Sequence, residues 1–196
     1  MNLRLVAVLA VAALPALLWA GDTSALRPPS YAAVALIAFE DLQCPDCADA
    51  EALLQEASTK YKIPLVRRDF PLPVHNWSFQ AHVIARYFDT RSPELGEQFR
   101  RWVYANQSSI KKENLAGMAS RFADQHGIEL PEKFDPKLEK LVQDDFKYGQ
   151  QIGVVHTPTV YVVSLSQRSA PFVETLDRDK LFAMIEQMQA AERAKK

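Results

Sequence analysis

The sequence predicts an α/β domain in which a β-α-β unit and a β-β-α unit are separated by a helical insertion. The first observation is a long apolar run that leads directly into Cys-Pro-Asp-Cys at residues 44–47 and then into a helical pattern. The second is Thr-Pro-Thr at residues 157–159, which joins a long helical stretch to a run rich in valine. The third is size, because 196 residues that are 48% hydrophobic suffice for one domain with a substantial core.

The first unit, residues 31–77, begins with an apolar run at residues 31–39 that is typical of a strand buried on both faces. A helix is predicted from Pro45 to about Tyr61, with small apolar residues on one side and carboxylates on the other. Residues 65–70 then alternate enough to form a second strand. A strand, a helix and a strand in this order predict two parallel strands joined by a right-handed crossover.

The insertion, residues 78–152, is predicted to be almost entirely helical. Apolar residues recur at helical spacing in four segments, at about residues 78–87, 92–106, 112–126 and 135–151. Because each segment is short and amphipathic, the four helices should pack as a cap on the domain.

The second unit, residues 153–196, starts with the turn that contains Pro158. A strand, a polar hairpin turn, a short last strand and a helix follow at about residues 160–163, 164–169, 170–175 and 179–193. The whole domain therefore reads as β-α-β, a helical block, and β-β-α.

The N-terminus carries a secretory signal pattern at residues 1–20. One positive charge precedes an apolar run at residues 5–20, which is shorter than the roughly 20 residues that span a bilayer. Cleavage is predicted after Ala20, with Ala25 as an alternative, and an uncleaved N-terminal membrane anchor is the other interpretation. In each case the domain, preceded by a polar lead-in at residues 21–30, is expected to be exported to the periplasm or another extracytoplasmic space.

Cys44 and Cys47 are the only cysteines of the chain, and their position at the start of a helix predicts a redox-active dithiol. Unpaired backbone N–H groups and the helix dipole favour an anion there, so Cys44 should ionise more readily than a free thiol. Pro45 suits the first helical turn, because its missing N–H would have had no helical partner. Cys47 is close enough to resolve a mixed disulfide formed at Cys44.

Two other interpretations of the cysteines are less favourable. A structural disulfide across two intervening residues closes a tiny loop and restrains little of the unfolded chain. A structural zinc site needs four ligands, whereas a single Cys-x-x-Cys supplies two. We therefore expect no metal and no cofactor other than the Cys44–Cys47 disulfide.

In this element order, Cys-x-x-Cys at the first helix and Thr-Pro before a strand resemble thioredoxin-fold, DsbA-like disulfide oxidoreductases. The resemblance covers about residues 32–192 and includes Arg-Asp-Phe-Pro-Leu at residues 68–72, followed by His75. It implies the thioredoxin fold, a cis peptide bond at Pro158, and a loop around that proline that lies against the dithiol. It also implies that Thr157 presents its backbone to a substrate peptide, which adds as a strand beside the site.

The resemblance further implies thiol–disulfide exchange with protein substrates. Cys44 would be the exposed nucleophile and Cys47 the buried resolving thiol. In the oxidising direction, a substrate thiolate attacks the disulfide at Cys44, and a membrane redox partner later reoxidises the dithiol. A net charge of −1 gives no sign of a nucleic acid as partner, and no dimerisation segment precedes Tyr31, so a monomer is expected.

Two residues near the dithiol depart from the strongest oxidants of this family. Those proteins have histidine where this chain has Asp46, whose carboxylate should raise the pKa of Cys44 and stabilise the disulfide. The chain is therefore expected to be less oxidising than DsbA. His156, directly before Thr157, could compensate by lowering the pKa of Cys44 or by pairing with Asp46, or it could be a solvent-exposed loop residue.

Proton transfer at Cys47 is the second departure. The family commonly has an acid six residues before the first cysteine, and here that residue is Ala38. Glu40 and Asp41 lie nearer to the cysteines; we interpret Glu40 as a candidate proton relay and Asp41 as a surface residue. The charged residues 67–69, at the end of the second strand, are predicted to be solvated.

Two alternatives belong to other functional classes. The first is a periplasmic copper-binding or copper-delivery protein that uses Cys44, Cys47 and His156, since soft thiolates suit Cu(I). Against it, none of the four methionines lies near the cysteines. The second alternative is a non-enzymatic interaction domain in which the Cys44–Cys47 bridge is inert.

Overall fold

The computed structural model describes residue 23 and residues 26–195. The predicted signal peptide at residues 1–20, and both candidate cleavage positions, lie outside these residues. Within the described part of the chain, no helix combines the length and the apolar character that crossing a membrane requires.

The observed elements follow the predicted order. The strands are β1 (Val34–Glu40), β2 (Leu65–Asp69), β3 (Thr159–Ser164) and β4 (Phe172–Val173). The helices are α1 (Pro45–Tyr61), α2 (Ser78–Asp89), α3 (Pro93–Asn106), α4 (Leu115–Gln125), α5 (Pro136–Gln151) and α6 (Arg178–Arg193), with a short 3-10 turn at Gln107–Ser109. The strands form one sheet in the order β2-β1-β3-β4. β1 pairs with β2 in parallel and with β3 antiparallel, and β4 is antiparallel to β3.

Strand β1 lies at the centre of the molecule, and all seven of its residues are buried. Successive side chains point to opposite faces of a sheet, so both faces must be covered. On one face Leu36 packs in a cluster with Leu54 of α1 and Ile185 of α6. On the other face Phe39 packs in a second cluster with Phe70. The continuous apolar run in the sequence is therefore explained by a strand that is buried on both faces.

The helices of the insertion build a third hydrophobic cluster, in which the rings of Phe88, Phe99 and Phe122 lie in mutual contact. The same cluster includes Cys44 and Cys47. The insertion thus forms one wall of the pocket in which the two thiols lie.

The helix starts differ in a way that matters for the dithiol. Helices α3, α5 and α6 begin with side-chain caps, in which Ser92, Asp135 and Asp177 accept backbone N–H groups. Helix α1 has no such cap, because Cys44 occupies its N-cap position with a proline directly after it. The first N–H groups of α1 are therefore available to an anion at the cysteines.

The prediction of a solvated charged end at residues 67–69 is wrong for Arg67 and Asp69, whereas the side chain of Arg68 is 40% exposed. Arg67 and Asp69 are only 8% and 1% exposed. Helices α3 and α5 cover this end of β2 and supply carboxylates to it: Glu97 accepts from the Arg67 guanidinium, and Asp145 accepts the N–H of Asp69. Buried charges of this kind are stable only when they are paired, so the packing of the insertion decides their environment.

The last strand is shorter than predicted, with two residues, Phe172–Val173, in place of residues 170–175. Pro171 cannot donate a backbone hydrogen bond to a neighbouring strand. Glu174 adopts a positive φ of 60°, which turns the chain out of the sheet. β4 is consequently a short edge beside the turn that contains Pro158.

Candidate active site

The two cysteines lie where the sequence predicts them, at the junction of β1 and α1. Cys44 is the N-cap residue of α1 and is 5% exposed, whereas Cys47, in the first turn, is fully buried. Both are free thiols, so the structure is that of the dithiol form. A reagent from solvent would meet the sulfur of Cys44 first.

The Cys44 thiol is acidic in this environment. Its pKa is lowered from 9.0 to about 6. The largest cause is the hydrogen bond from the Cys47 thiol, and the backbone N–H groups of Cys47 and Asp46 act in the same direction against the opposing effect of burial. This matches the expectation that the start of α1 favours a thiolate.

The Cys47 thiol behaves in the opposite way. Burial raises its pKa well above 9.0, and the hydrogen bond with Cys44 and the negative charge of Glu40 add to this effect. Its sulfur also accepts the backbone N–H of Asp41 at 3.4 Å. The two thiols therefore differ in accessibility and in acidity.

The turn that contains Pro158 lies against Cys44. The Thr157–Pro158 peptide bond is cis, as the resemblance implied. The carbonyl oxygen of Thr157 accepts a hydrogen bond from the Cys44 thiol at 3.2 Å. Thr159 then begins β3, and its hydroxyl donates to the carbonyl of His156.

His156 and Asp46 do not pair with each other. The Nδ1 atom of His156 lies 2.9 Å from a carboxylate oxygen of Glu174, and both side chains are more than half exposed. Of the two interpretations of His156 that the sequence left open, its position corresponds to the exposed loop residue. Asp46 is also exposed, and it affects Cys44 through its backbone N–H, which lowers the pKa of the thiol. The expected rise of that pKa is absent because the helix amides and Cys47 outweigh a carboxylate that faces solvent.

Glu40 lies in a buried ionic cluster beneath the dithiol. Its Oε2 atom is 2.5 Å from Nη1 of Arg67, and the same guanidinium binds Glu51 of α1 and Glu97 of α3. The other carboxylate oxygen of Glu40 is buried and has no hydrogen-bond partner. Burial raises the pKa of Glu40, and Arg67 opposes that rise.

Asp41 is fully buried, and its interpretation as a surface residue is wrong. Its carboxylate accepts the N–H groups of Gln43 and Leu72 at 2.7 and 2.6 Å, and it bonds the Ser78 hydroxyl and the His75 ring at 2.5 and 2.7 Å. An aspartate that binds the N–H two residues later is a common turn pattern. An aspartate in the turn between β1 and α1 was thus the sequence signal that could have revealed that Asp41 binds the N–H of Gln43 and is buried.

Within residues 23 and 26–195, no three His, Cys, Asp or Glu side chains are grouped so that they could hold a metal ion. His156 in particular is paired with Glu174 rather than placed as a third ligand beside the thiols. The copper alternative therefore has no three-ligand site in the described residues.

Comparison with known families is decisive for the fold. A family model described as thioredoxin matches residues 28–191. The chain belongs to the thioredoxin family. This confirms the resemblance drawn from Cys-x-x-Cys and Thr-Pro, and with it the predicted α/β class.

Solved structures of thioredoxin-family proteins from bacteria superimpose on this one. A thiol-disulfide exchange protein from Wolbachia pipientis, alpha-DsbA2, is 17% identical with a TM-score of 0.69, covering 83% of this chain and 85% of the other. The alpha-DsbA1 protein of the same organism is 15% identical with a TM-score of 0.71, covering 86% and 92%. A periplasmic thioredoxin-like protein from Salmonella enterica serovar Typhimurium is 16% identical with a TM-score of 0.65, covering 83% and 88%. Comparison with curated protein sequences finds no match.

Proposed function

We propose that this thioredoxin-family chain is an exported protein disulfide oxidoreductase that exchanges disulfides with protein substrates through Cys44 and Cys47. The observation that carries the proposal is the contrast between the two thiols. The pKa of Cys44 is lowered to about 6, whereas that of the fully buried Cys47 is raised. An acidic thiol that solvent can reach, next to a buried resolving thiol, is the arrangement that disulfide exchange requires.

In the oxidising direction, a substrate thiolate attacks the sulfur of Cys44 in the Cys44–Cys47 disulfide. The S–S bond breaks, a mixed disulfide forms, and the Cys47 sulfur leaves with the electron pair and takes up a proton. A second substrate thiolate then displaces Cys44, which leaves as a thiolate stabilised at the start of α1. The substrate dithiol has lost two electrons to the enzyme, and a membrane redox partner would remove them again.

Glu40 is the proposed proton relay for Cys47. The resolving sulfur must gain and lose a proton in a pocket that excludes water. Glu40 is the acid whose charge acts on the pKa of Cys47, and one of its oxygens has no hydrogen-bond partner. Its raised pKa makes proton exchange at ordinary pH easier than for a solvent-exposed carboxyl.

A substrate peptide would bind across the turn that contains Thr157 and Pro158. Because the Thr157 carbonyl already contacts the Cys44 sulfur, an extended peptide paired with this backbone would carry its cysteine to the reactive atom. Pro45 and Asp46 are exposed and follow Cys44 directly in the first turn of α1. Their side chains would therefore meet a substrate from the side opposite Thr157.

The chain is proposed to be less oxidising than DsbA. Oxidising power rises as the reduced form is stabilised, and the pKa of the reactive thiol is about 3.5 in DsbA and about 7 in thioredoxin. The value of about 6 for Cys44 lies between them. The negative charge of Glu40, within the Arg67 cluster, also raises the pKa of Cys47 and so disfavours a thiolate there.

The proposal of export rests on the signal pattern at residues 1–20 and is supported by the periplasmic thioredoxin-like protein of Salmonella, which has the same fold. We further propose a monomer that needs no cofactor besides its own disulfide. These parts of the proposal do not affect the chemistry at Cys44.

The test is an equilibration of the purified protein with glutathione, followed by trapping of the free thiols. The expected reduction potential lies between the roughly −120 mV of DsbA and the roughly −270 mV of thioredoxin. A value at or above that of DsbA would overturn the proposal that this chain is less oxidising than DsbA. In a second assay with a synthetic peptide whose two cysteines form a disulfide, the reduced Cys47→Ser variant should accumulate a mixed disulfide through Cys44, and the reduced Cys44→Ser variant should not. Full exchange activity in Cys44→Ser would overturn the function itself.

A further inference from the structure

We infer that His82 and Gln107 are positioning residues that hold the turn Asp41–Cys44 in the geometry that the dithiol needs. Both residues come from the helical insertion, and neither contacts a sulfur atom. The inference rests on the proposed function, since it concerns how the same dithiol is tuned.

His82 binds the peptide unit between Asp41 and Leu42. Its Nε2 atom accepts the N–H of Leu42 at 3.2 Å, and the carbonyl at the other end of that peptide accepts the N–H of Cys44 at 3.0 Å. The side chain is 2% exposed, so no water competes for the bond. One rigid peptide plane thus connects the His82 ring to the backbone of Cys44.

The rest of the His82 ring is equally constrained. Because Nε2 accepts a hydrogen bond, the ring proton belongs on Nδ1, which faces Asp69 at 2.8 Å. Asp69 is 1% exposed and is held in turn by Arg86. The fixed carboxylate selects the tautomer of His82 that can receive the Leu42 N–H.

Gln107 binds the same turn from the other side. Its Nε2 group donates to the carbonyl oxygens of Leu42 and Cys44, at 3.0 and 2.9 Å. Leu42 is therefore bound by a side chain of the insertion at both its N–H and its C=O. Gln107 lies in the 3-10 turn after α3 and is only half-buried, so its substitution leaves the core intact.

The hydrogen bonds from His82 and Gln107 to the turn Asp41–Cys44, together called the clamp, should stabilise the dithiol form more than the disulfide form. In the disulfide a covalent bond fixes Cys44 relative to Cys47, whatever the turn does. In the dithiol only hydrogen bonds keep the Cys44 sulfur near the N–H groups of α1 and keep the N–H of Asp41 on Cys47. Loss of the clamp should therefore destabilise the reduced form more than the oxidised form.

The experiment measures the glutathione equilibrium and the Cys44 pKa, from thiolate absorbance, for His82→Leu, His82→Gln and Gln107→Ala. Loss of one such hydrogen bond should shift the equilibrium constant toward the disulfide by roughly threefold to tenfold, with a higher Cys44 pKa. The amide of His82→Gln can accept from Leu42 and donate to Asp69, so this variant should restore most of the wild-type value. Ile185→Ala, in a core cluster that includes neither Leu42 nor the cysteines, is the control for general loss of stability.

A merely structural role would lower the stability of His82→Leu while leaving its potential and Cys44 pKa equal to those of Ile185→Ala, and this result would overturn the inference. Unchanged values in Gln107→Ala would overturn it as well, independently of whether a core variant folds. The equilibrium with glutathione does not depend on protein substrates. Absence of exchange with a peptide would therefore refute the proposed function without affecting the comparison of glutathione equilibria among the variants.

Discussion

The sulfur of Cys44 lies 3.2 Å from the carbonyl oxygen of Thr157, although 113 residues separate them in the sequence. The contact joins the start of α1 to the turn before β3. Since β1 and β3 are antiparallel neighbours, the end of β1 and the start of β3 lie side by side, and both segments lie at that end of the pair. A substrate bound at the Cys44 sulfur would therefore lie beside the backbone of Thr157. The rest of the site determines how readily that sulfur ionises.

The first prediction concerns the ionisation of Cys44. Since its pKa is lowered to about 6, the rate of alkylation of the reduced protein by iodoacetamide should rise with pH around a midpoint near 6. Cys47 is fully buried and should not contribute. The profile should be the same in Cys47→Ala except for a higher midpoint, because the largest cause of the lowered pKa, the bond from the Cys47 thiol, is then lost. A midpoint near 9 in the wild type would contradict the geometry.

The stability of the reduced protein should depend on pH through the same group. A thiol whose pKa is depressed in the folded state stabilises the fold fully above its unfolded pKa and loses that contribution as the pH falls through the folded value. For Cys44 the free energy of unfolding should therefore increase from about pH 6 to pH 9.0. The pKa of Cys47 is raised, so its contribution is constant below 9.0 and does not oppose the increase.

Urea unfolding of the reduced protein at several pH values measures this dependence. Subtracting the profile of Cys44→Ser removes the contributions of the other titratable groups. The difference should be a rising curve in the reduced protein and flat in the oxidised protein. A flat difference in the reduced protein would mean that Cys44 has the same pKa in the folded and unfolded states.

The third prediction concerns Arg67, which pairs with the buried Glu40 and Glu51 and with the partly exposed Glu97. Arg67→Met should destabilise the fold by about 3–5 kcal/mol at neutral pH, because it leaves the buried Glu40 and Glu51 without their counter-charge. Adding Glu40→Gln to that variant should recover part of the loss. Arg178→Met, which removes a solvent-exposed pair with Glu56, is the control and should change the unfolding free energy little. Equal effects of the two arginine substitutions would show that the cluster is not structurally important.

The sequence predicted the features that depend on local pattern. Strand β1 followed from its apolar run, the start of α1 from Pro45, and the approximate bounds of α3 and α5 from apolar residues at helical spacing. These signals are local because a strand or a cap is determined by a few neighbouring residues.

The charged part of the site could not be predicted in the same way. Asp41 and Arg67 read as surface residues because charged side chains at the end of a strand are usually solvated. Their burial depends on helices that fold over the sheet from residues 78–151, and no local pattern specifies which carboxylate meets which guanidinium. His82 showed only a helical periodicity, and its bond to Leu42 spans 40 residues. Where buried charges are paired, tertiary packing therefore overrides the expectation from local sequence that charged residues are exposed to solvent.

The last prediction concerns proton transfer by Glu40. If this carboxyl carries the proton for Cys47, Glu40→Gln should slow the step in which Cys47 is released or attacks, by about tenfold or more, while the Cys44 step is unchanged. Glu51→Gln is a matched control, because it removes another carboxylate from the same Arg67 cluster while leaving Glu40 in place. Single-turnover oxidation of the reduced protein by oxidised glutathione, quenched with acid, separates the two steps, because the mixed disulfide formed at Cys44 lasts until Cys47 attacks it. A longer lifetime in Glu40→Gln than in Glu51→Gln supports a relay, since both variants lose one negative charge near Arg67. Equal lifetimes would mean that Glu40 acts on Cys47 through its charge alone and that water carries the proton.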